Sequence, residues 1–81
     1  MRIIAELPHP DCKISIFSMN QKFIIKFEQG VLEQSYKLAE TDVIGGVNGV
    51  FELLDETFIS QVVEQFKSMR KTFIEAYDRY E

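Results

Sequence analysis

Residues 55 to 80 constrain the fold of this chain more than any other stretch, because they put their apolar side chains on one side of a single long helix. At about 100° per residue, Phe58, Ile59, Val62, Val63, Phe66, Met69, Phe73, Ile74, Ala76, Tyr77 and Tyr80 fall inside an arc of about 160°, and polar side chains fill the rest of the circumference. Arg70 and the terminal Glu81 alone break the separation; the Arg70 stem can lie on apolar surface while its head reaches water. No Gly or Pro interrupts the stretch. Asp55 is a good N-cap, Glu56 complements the positive end of the helix dipole, and Glu75 and Arg79 form a correctly oriented i,i+4 pair. A helix face this rich in aromatic rings needs a large apolar surface opposite it.

The first half of the chain supplies that surface. Residues 2 to 7, 12 to 19, 22 to 28 and 31 to 38 are rich in Ile, Phe and Val and are separated by Pro8-His9-Pro10-Asp11, Asn20-Gln21 and Gln29-Gly30, which predicts four strands. Connections this short imply an antiparallel meander in the order 1-2-3-4. With two-residue loops at Asn20-Gln21 and Gln29-Gly30, Ile16 opposes Ile25, Ile14 opposes Phe27, Phe27 opposes Leu32 and Phe23 opposes Tyr36. A four-residue loop at 8 to 11 sets Leu7 opposite Cys12, Ala5 opposite Ile14 and Ile3 opposite Ile16. One face, made by Ile3, Ala5, Leu7, Ile14, Ile16, Phe23, Ile25, Phe27, Leu32 and Tyr36, becomes almost wholly apolar. The other acquires the rows Glu6, Lys13, Glu28 and Ile4, Ser15, Lys26, Glu33, in which neighbouring charges alternate in sign. Gln34 is polar on the inner face, where an edge strand gives it access to water, and Phe17, Ile24 and Met19 are apolar on the outer face.

Residues 39 to 54 leave the sheet. Gly45-Gly46-Val47-Asn48-Gly49 is read as a flexible loop, and Val50 to Leu54 allows a short helix capped by Asn48. The fold class that results is α+β: a single two-layer domain over residues 1 to 81, with the long helix lying across the apolar face of the sheet.

A chain of 81 residues buries only about 60% of its unfolded surface, so any functional site must sit on the rim of one small core. The longest apolar runs fall far short of the roughly 18 residues needed to span a membrane. Residues 1 to 6 lack the apolar core of a secretory signal, and the single Cys12 has no disulfide partner within the chain, which points to a reducing cytoplasm. The net charge of −4 is uneven: residues 1 to 38 carry five basic and four acidic side chains, residues 39 to 81 four basic and nine acidic. An acidic helical half argues against wholesale wrapping of nucleic acid.

Candidate chemistry is sparse. His9, Asp11 and Cys12 gather within four residues, but a structural metal site wants about four such ligands and a thiol nucleophile needs an orienting base and a cleft; a Pro-bounded turn with Cys12 in the core accounts for them. The glycines at 45, 46 and 49 have neither the Lys-Ser or Lys-Thr of a nucleotide loop nor dinucleotide spacing. The carboxylates of the long helix lie on its polar arc, outside any desolvated cleft. The expectation is therefore no enzyme, no cofactor and no metal, but a non-enzymatic interaction module. The alternative is a single-stranded nucleic-acid binder that stacks bases on Phe17 within an outer-face site of Ile24, Met19, Lys22 and Lys26, a site whose field Glu6, Glu28 and Glu33 largely neutralise.

Lengths then predict a homodimer. A helix of about 25 residues extends about 37 Å, whereas seven-residue strands give a sheet about 23 Å long, so an aligned helix overhangs by about two turns or more. Arg70, Phe73, Ile74, Tyr77 and Tyr80 lie in or near that overhang, a composition suited to the centre of a protein interface with a second copy or another protein. In the competing arrangement Val50, Phe51, Leu53 and Leu54 fold back to cover the same rings within one chain.

Overall fold

The computed structural model describes residues 1 to 80 and has the element order β1 (Arg2–Leu7), β2 (Lys13–Met19), β3 (Lys22–Gln29), β4 (Leu32–Ala39), a 3-10 turn (Glu40–Asp42), α1 (Val47–Leu53) and α2 (Glu56–Tyr80). The four strands form one antiparallel sheet in the order β1-β2-β3-β4, and the fold is α+β, as expected. At the central hairpin Asn20 and Gln21 both have positive φ, the conformation that a tight two-residue loop requires for its twist to match the strands. Ile16 opposes Ile25 and Ile14 opposes Phe27, as the sequence pattern predicts.

The outer pairs differ from expectation in register. The β3–β4 loop is Gly30-Val31 rather than Gln29-Gly30, because Gly30 at φ 59° takes the first loop position, the one that demands a positive φ. Phe27 therefore opposes Gln34, Ile25 opposes Tyr36 and Phe23 opposes Leu38. The shift is two residues, so every side chain keeps its face. At the other edge Leu7 opposes Ile14 rather than Cys12, and an irregularity between Ile3 and Ala5 inserts an extra residue. Beyond that bulge the alternation reverses: Ile4 packs against the core and Ile3 pairs with Phe17 on the outer face, the opposite of the assignment from strict alternation. The charge rows change too, since Glu28 stands opposite Glu33; Lys26 relieves that like-charge pair by a diagonal salt bridge to Glu33 at 3.4 Å.

Asp55 caps α2 as predicted, its Oδ1 accepting from the Phe58 N–H at 2.8 Å. Helix α1 begins at Val47, three residues before the expected start, with Gly46 rather than Asn48 at its N-cap. Gly49 is thus a helical residue and not part of a flexible loop. A Cβ there would lie 2.3 Å from the Ile44 carbonyl oxygen and 2.5 Å from Val43 Cγ1, so only glycine lets the chain fold back this closely.

The core lies between sheet and helices: Ile14, Ile16, Ile25 and Phe27 from the strands, Val50 from α1, and Val62 and Phe66 from α2 are all fully buried or nearly so. Phe27, Tyr36 and Phe58 interlock edge to face, with ring centroids 5.4 to 6.0 Å apart. Gln34 does not reach water. It is buried, and its Nε2 donates to the Val62 carbonyl at 2.9 Å while its Oε1 accepts from the Tyr36 hydroxyl at 3.0 Å.

These contacts give α2 its course. Phe58 meets Tyr36, Val62 meets Gln34, and Met69 and Phe73 lie beside Leu32 and Val31, so the helix runs antiparallel to β4 and leaves the sheet at the Gly30-Val31 turn.

Candidate interaction surface

Past that turn only the first residues of the free end, Phe73 and Ile74, still lie beside Val31 and Leu32, and the rest of the helix stands clear of the sheet. Every residue from Lys71 to Tyr80 is exposed, a projection of about 15 Å at 1.5 Å per residue. The molecule is correspondingly long, 48 × 26 × 20 Å.

The apolar arc that enters the core at Val62 and Phe66 continues past Arg70 along the projection. Phe73 is 51% exposed, Ile74 50%, Tyr77 56% and Tyr80 85%. Their rings follow one another along the helix, with centroids 6.4 Å apart for Phe73 and Tyr77 and 6.3 Å for Tyr77 and Tyr80. Residues 50 to 54 do not fold back over them: Val50 is fully buried in the core and Leu54 packs against it, while Phe51 and Leu53 are themselves exposed.

Arg70 stands at the root of the projection, where Nη2 donates to Gln29 Oε1, and Gln29 Nε2 in turn donates to the Asp11 carbonyl at 2.7 Å. The end of β3 and the β1–β2 connection thus hold the guanidinium at the edge of the apolar strip. Glu75 and Arg79 do not pair; the ion pair on α2 among the described residues is Lys67 with Glu64 at 3.2 Å. Beside the root, Val31, Leu32, Met69, Phe73 and Ala76 line an apolar groove of about 550 Å³. A smaller notch of about 260 Å³ opens between the Gly30-Val31 turn and Arg70, Phe73 and Ile74. Val31, 84% exposed, is absent from the expected sites because the strand pattern puts it inside a strand; its position directly after a glycine in a two-residue loop is the signal for a projecting side chain.

The second candidate surface is less open. Ile24 is buried on the outer face, Met19 is half-buried opposite Lys22 at the hairpin, and Lys26 Nζ sits 5.7 Å from the centroid of the half-buried Phe17 ring. A base could stack on Phe17 only by displacing a lysine already paired with Glu33.

At the β1–β2 connection the Asp11 N–H donates to His9 Nδ1 at 3.1 Å, and Cys12 is buried, which pushes its thiol pKa up, with a smaller contribution from the Asp11 charge. Among the described residues no three His, Cys, Asp or Glu side chains come together as a metal site. Among the described residues no helix is long and apolar enough to cross a membrane. Comparison with protein-family models, with curated proteins and with solved structures found no match to this chain.

Proposed function

We propose that this chain is a small non-enzymatic protein-interaction module that works as a homodimer through the projecting end of α2. The observation that carries the reading is the continuous strip of Phe73, Ile74, Tyr77 and Tyr80, each half-exposed or more, on a helix whose other end is locked into the core. Monomeric proteins rarely leave such a strip uncovered. Three rings of about 200 Å² each, together with Ile74, expose on the order of 450 Å² per chain, or about 900 Å² when two copies meet. Val31 and the groove beside Met69 bring the total past the roughly 1,000 Å² at which specific interfaces begin. The buried free thiol of Cys12 is compatible with a reducing compartment such as the cytoplasm.

Light scattering across a concentration series tests the reading. The expected mass at high micromolar concentration is twice the 9.5 kDa of one chain, and a single-chain mass there refutes it. Single-stranded nucleic acid is the weaker reading because Lys26 covers Phe17; a salt-dependent gel shift abolished by Phe17→Ala would restore it.

A further inference from the structure

We propose that the two projecting helices pair antiparallel about a two-fold axis near residue 75, so that Arg70 of each chain lies against the partner's Tyr80 beside the Gly30-Val31 turn. This rests on the homodimer proposed above and specifies its geometry. Arg70, Phe73, Tyr77 and Tyr80 are spaced three, four and three residues apart, the spacing of the seam in a two-helix coiled coil. On the helix wheel these four side chains centre on one direction, with Ile74 and Ala76 on the two flanks.

The seam distinguishes the two possible directions of pairing. Parallel helices would set Arg70 against the partner's Arg70 in an apolar layer, and would align the basic root Lys67, Arg70, Lys71 with another basic root. Antiparallel helices instead build the layers Arg70 on the partner's Tyr80 and Phe73 on the partner's Tyr77, each occurring twice by symmetry. The guanidinium, already oriented by Gln29, then rests over a phenol ring. On the flank that carries Ile74, Lys71 of each chain comes level with the partner's Asp78. On that flank a basic residue at the root of each helix is level with an acidic residue at the tip of the other, while Arg79 lies on the opposite flank.

Shape agrees with charge. Ten residues of projection carry the partner's tip back to the root, where the notch of about 260 Å³ between Val31, Arg70 and Phe73 is open. An apolar space of about 150 Å³ already admits a benzene ring, so the notch has room for the ring of the partner's Tyr80. The partner fills space that the monomer leaves vacant.

Two single-cysteine variants made in the full chain, with buried Cys12 left in place and the unmutated protein as control, test the direction of pairing using a short bifunctional maleimide. Antiparallel pairing brings Ile74 of both chains together at the axis and holds the two Tyr80 positions about 15 Å apart along it. Ile74→Cys should therefore cross-link to a covalent dimer, and Tyr80→Cys should not. Efficient cross-linking through Tyr80→Cys, or none through Ile74→Cys in a protein that light scattering shows to be dimeric, overturns the antiparallel seam while leaving the dimer intact. A single-chain mass overturns the underlying homodimer as well. A double-mutant cycle gives a second readout: Arg70→Ala and Tyr80→Ala should be coupled in dimer affinity by about two- to five-fold per contact. Independent effects would refute the Arg70 and Tyr80 layer.

Discussion

Tyr77→Asp separates an interface strip from an internal core. In the monomer Tyr77 is 56% exposed, so on the order of 110 Å² of its roughly 200 Å² surface is open to a partner. In a symmetric dimer each substitution acts twice, removing about 220 Å² of apolar contact, and at about 25 cal/mol per Å² this is about 5 kcal/mol of association free energy. Desolvating two new carboxylates beside Phe73 adds to the loss, so dimer affinity should fall by about 10³-fold or more. The folded monomer should notice the change far less. It loses the remaining ring contact with Phe73 and gains an acidic group near the negative end of the helix dipole, together about 1 kcal/mol, which lowers the melting temperature by about 4–8 °C. Sedimentation equilibrium and thermal circular dichroism, run on the same samples, measure both quantities. A Tyr77→Asp protein that keeps a two-chain mass at low micromolar concentration, or that unfolds outright at room temperature, contradicts the reasoning; Tyr77→Phe, which retains the ring, should stay dimeric.

Truncation at the centre of the core, Phe66→Ala, should cost about 3–5 kcal/mol, measured by urea denaturation, because that side chain is fully buried. Gly49→Ala should destabilise by about 1–3 kcal/mol despite the better helix propensity of alanine, since the new Cβ meets the Ile44 carbonyl; an unchanged or raised midpoint would contradict the close approach. Gln34→Glu exchanges the donor to Val62 for an acceptor and should raise the folded-state pKa of the introduced carboxyl. The acid form is tolerated below about pH 4, and stability should then fall by about 1.4 kcal/mol per pH unit until the folded pKa is passed; a flat pH profile would refute the assignment. Cys12 should react slowly with a soluble maleimide in the native state and rapidly after unfolding. Because burial raises its folded pKa, the native state holds the thiol proton more tightly, and stability should decline as pH rises past about 8.5, a slope that Cys12→Ala removes.

The elements legible in the sequence were those carried by period. Alternation along β2 and β3 placed Ile14, Ile16, Ile25 and Phe27 in the core, and the helical period placed Val62 and Phe66 there and left Phe73, Tyr77 and Tyr80 beyond the sheet. What could not be read depended on single residues whose role is set by three-dimensional context. The bulge that turns Ile4 inward and Ile3 outward leaves no compositional mark in Arg2-Ile3-Ile4-Ala5. Gly49 looked like loop material beside Gly45 and Gly46, because the carbonyl that crowds it comes from a segment with no periodic pattern. The sequence puts Gln34 on the inner face of an edge strand with access to water, and its burial cannot be read there because its acceptor lies 28 positions further along the chain. The strip on α2 is visible in the sequence, whereas the notch beside it is not, because Val31 projects only from a loop position that the strand pattern hides.

The hydrogen bond from Gln34 to the Val62 carbonyl also determines how far the tip of α2 reaches. Two apolar faces are forgiving partners: a helix displaced along a sheet by one turn exchanges one set of hydrocarbon contacts for another of similar area. An amide that must find a carbonyl is not forgiving, because a slip of one turn, about 5.4 Å, would separate the two and leave the buried amide unpaired. The same slip would lengthen or shorten the free end of the helix by a third of its extent. A polar contact about two and a half turns back from Lys71 therefore acts as a length gauge, holding Arg70 at the lip of the Gly30-Val31 turn and Tyr80 at a constant distance from it.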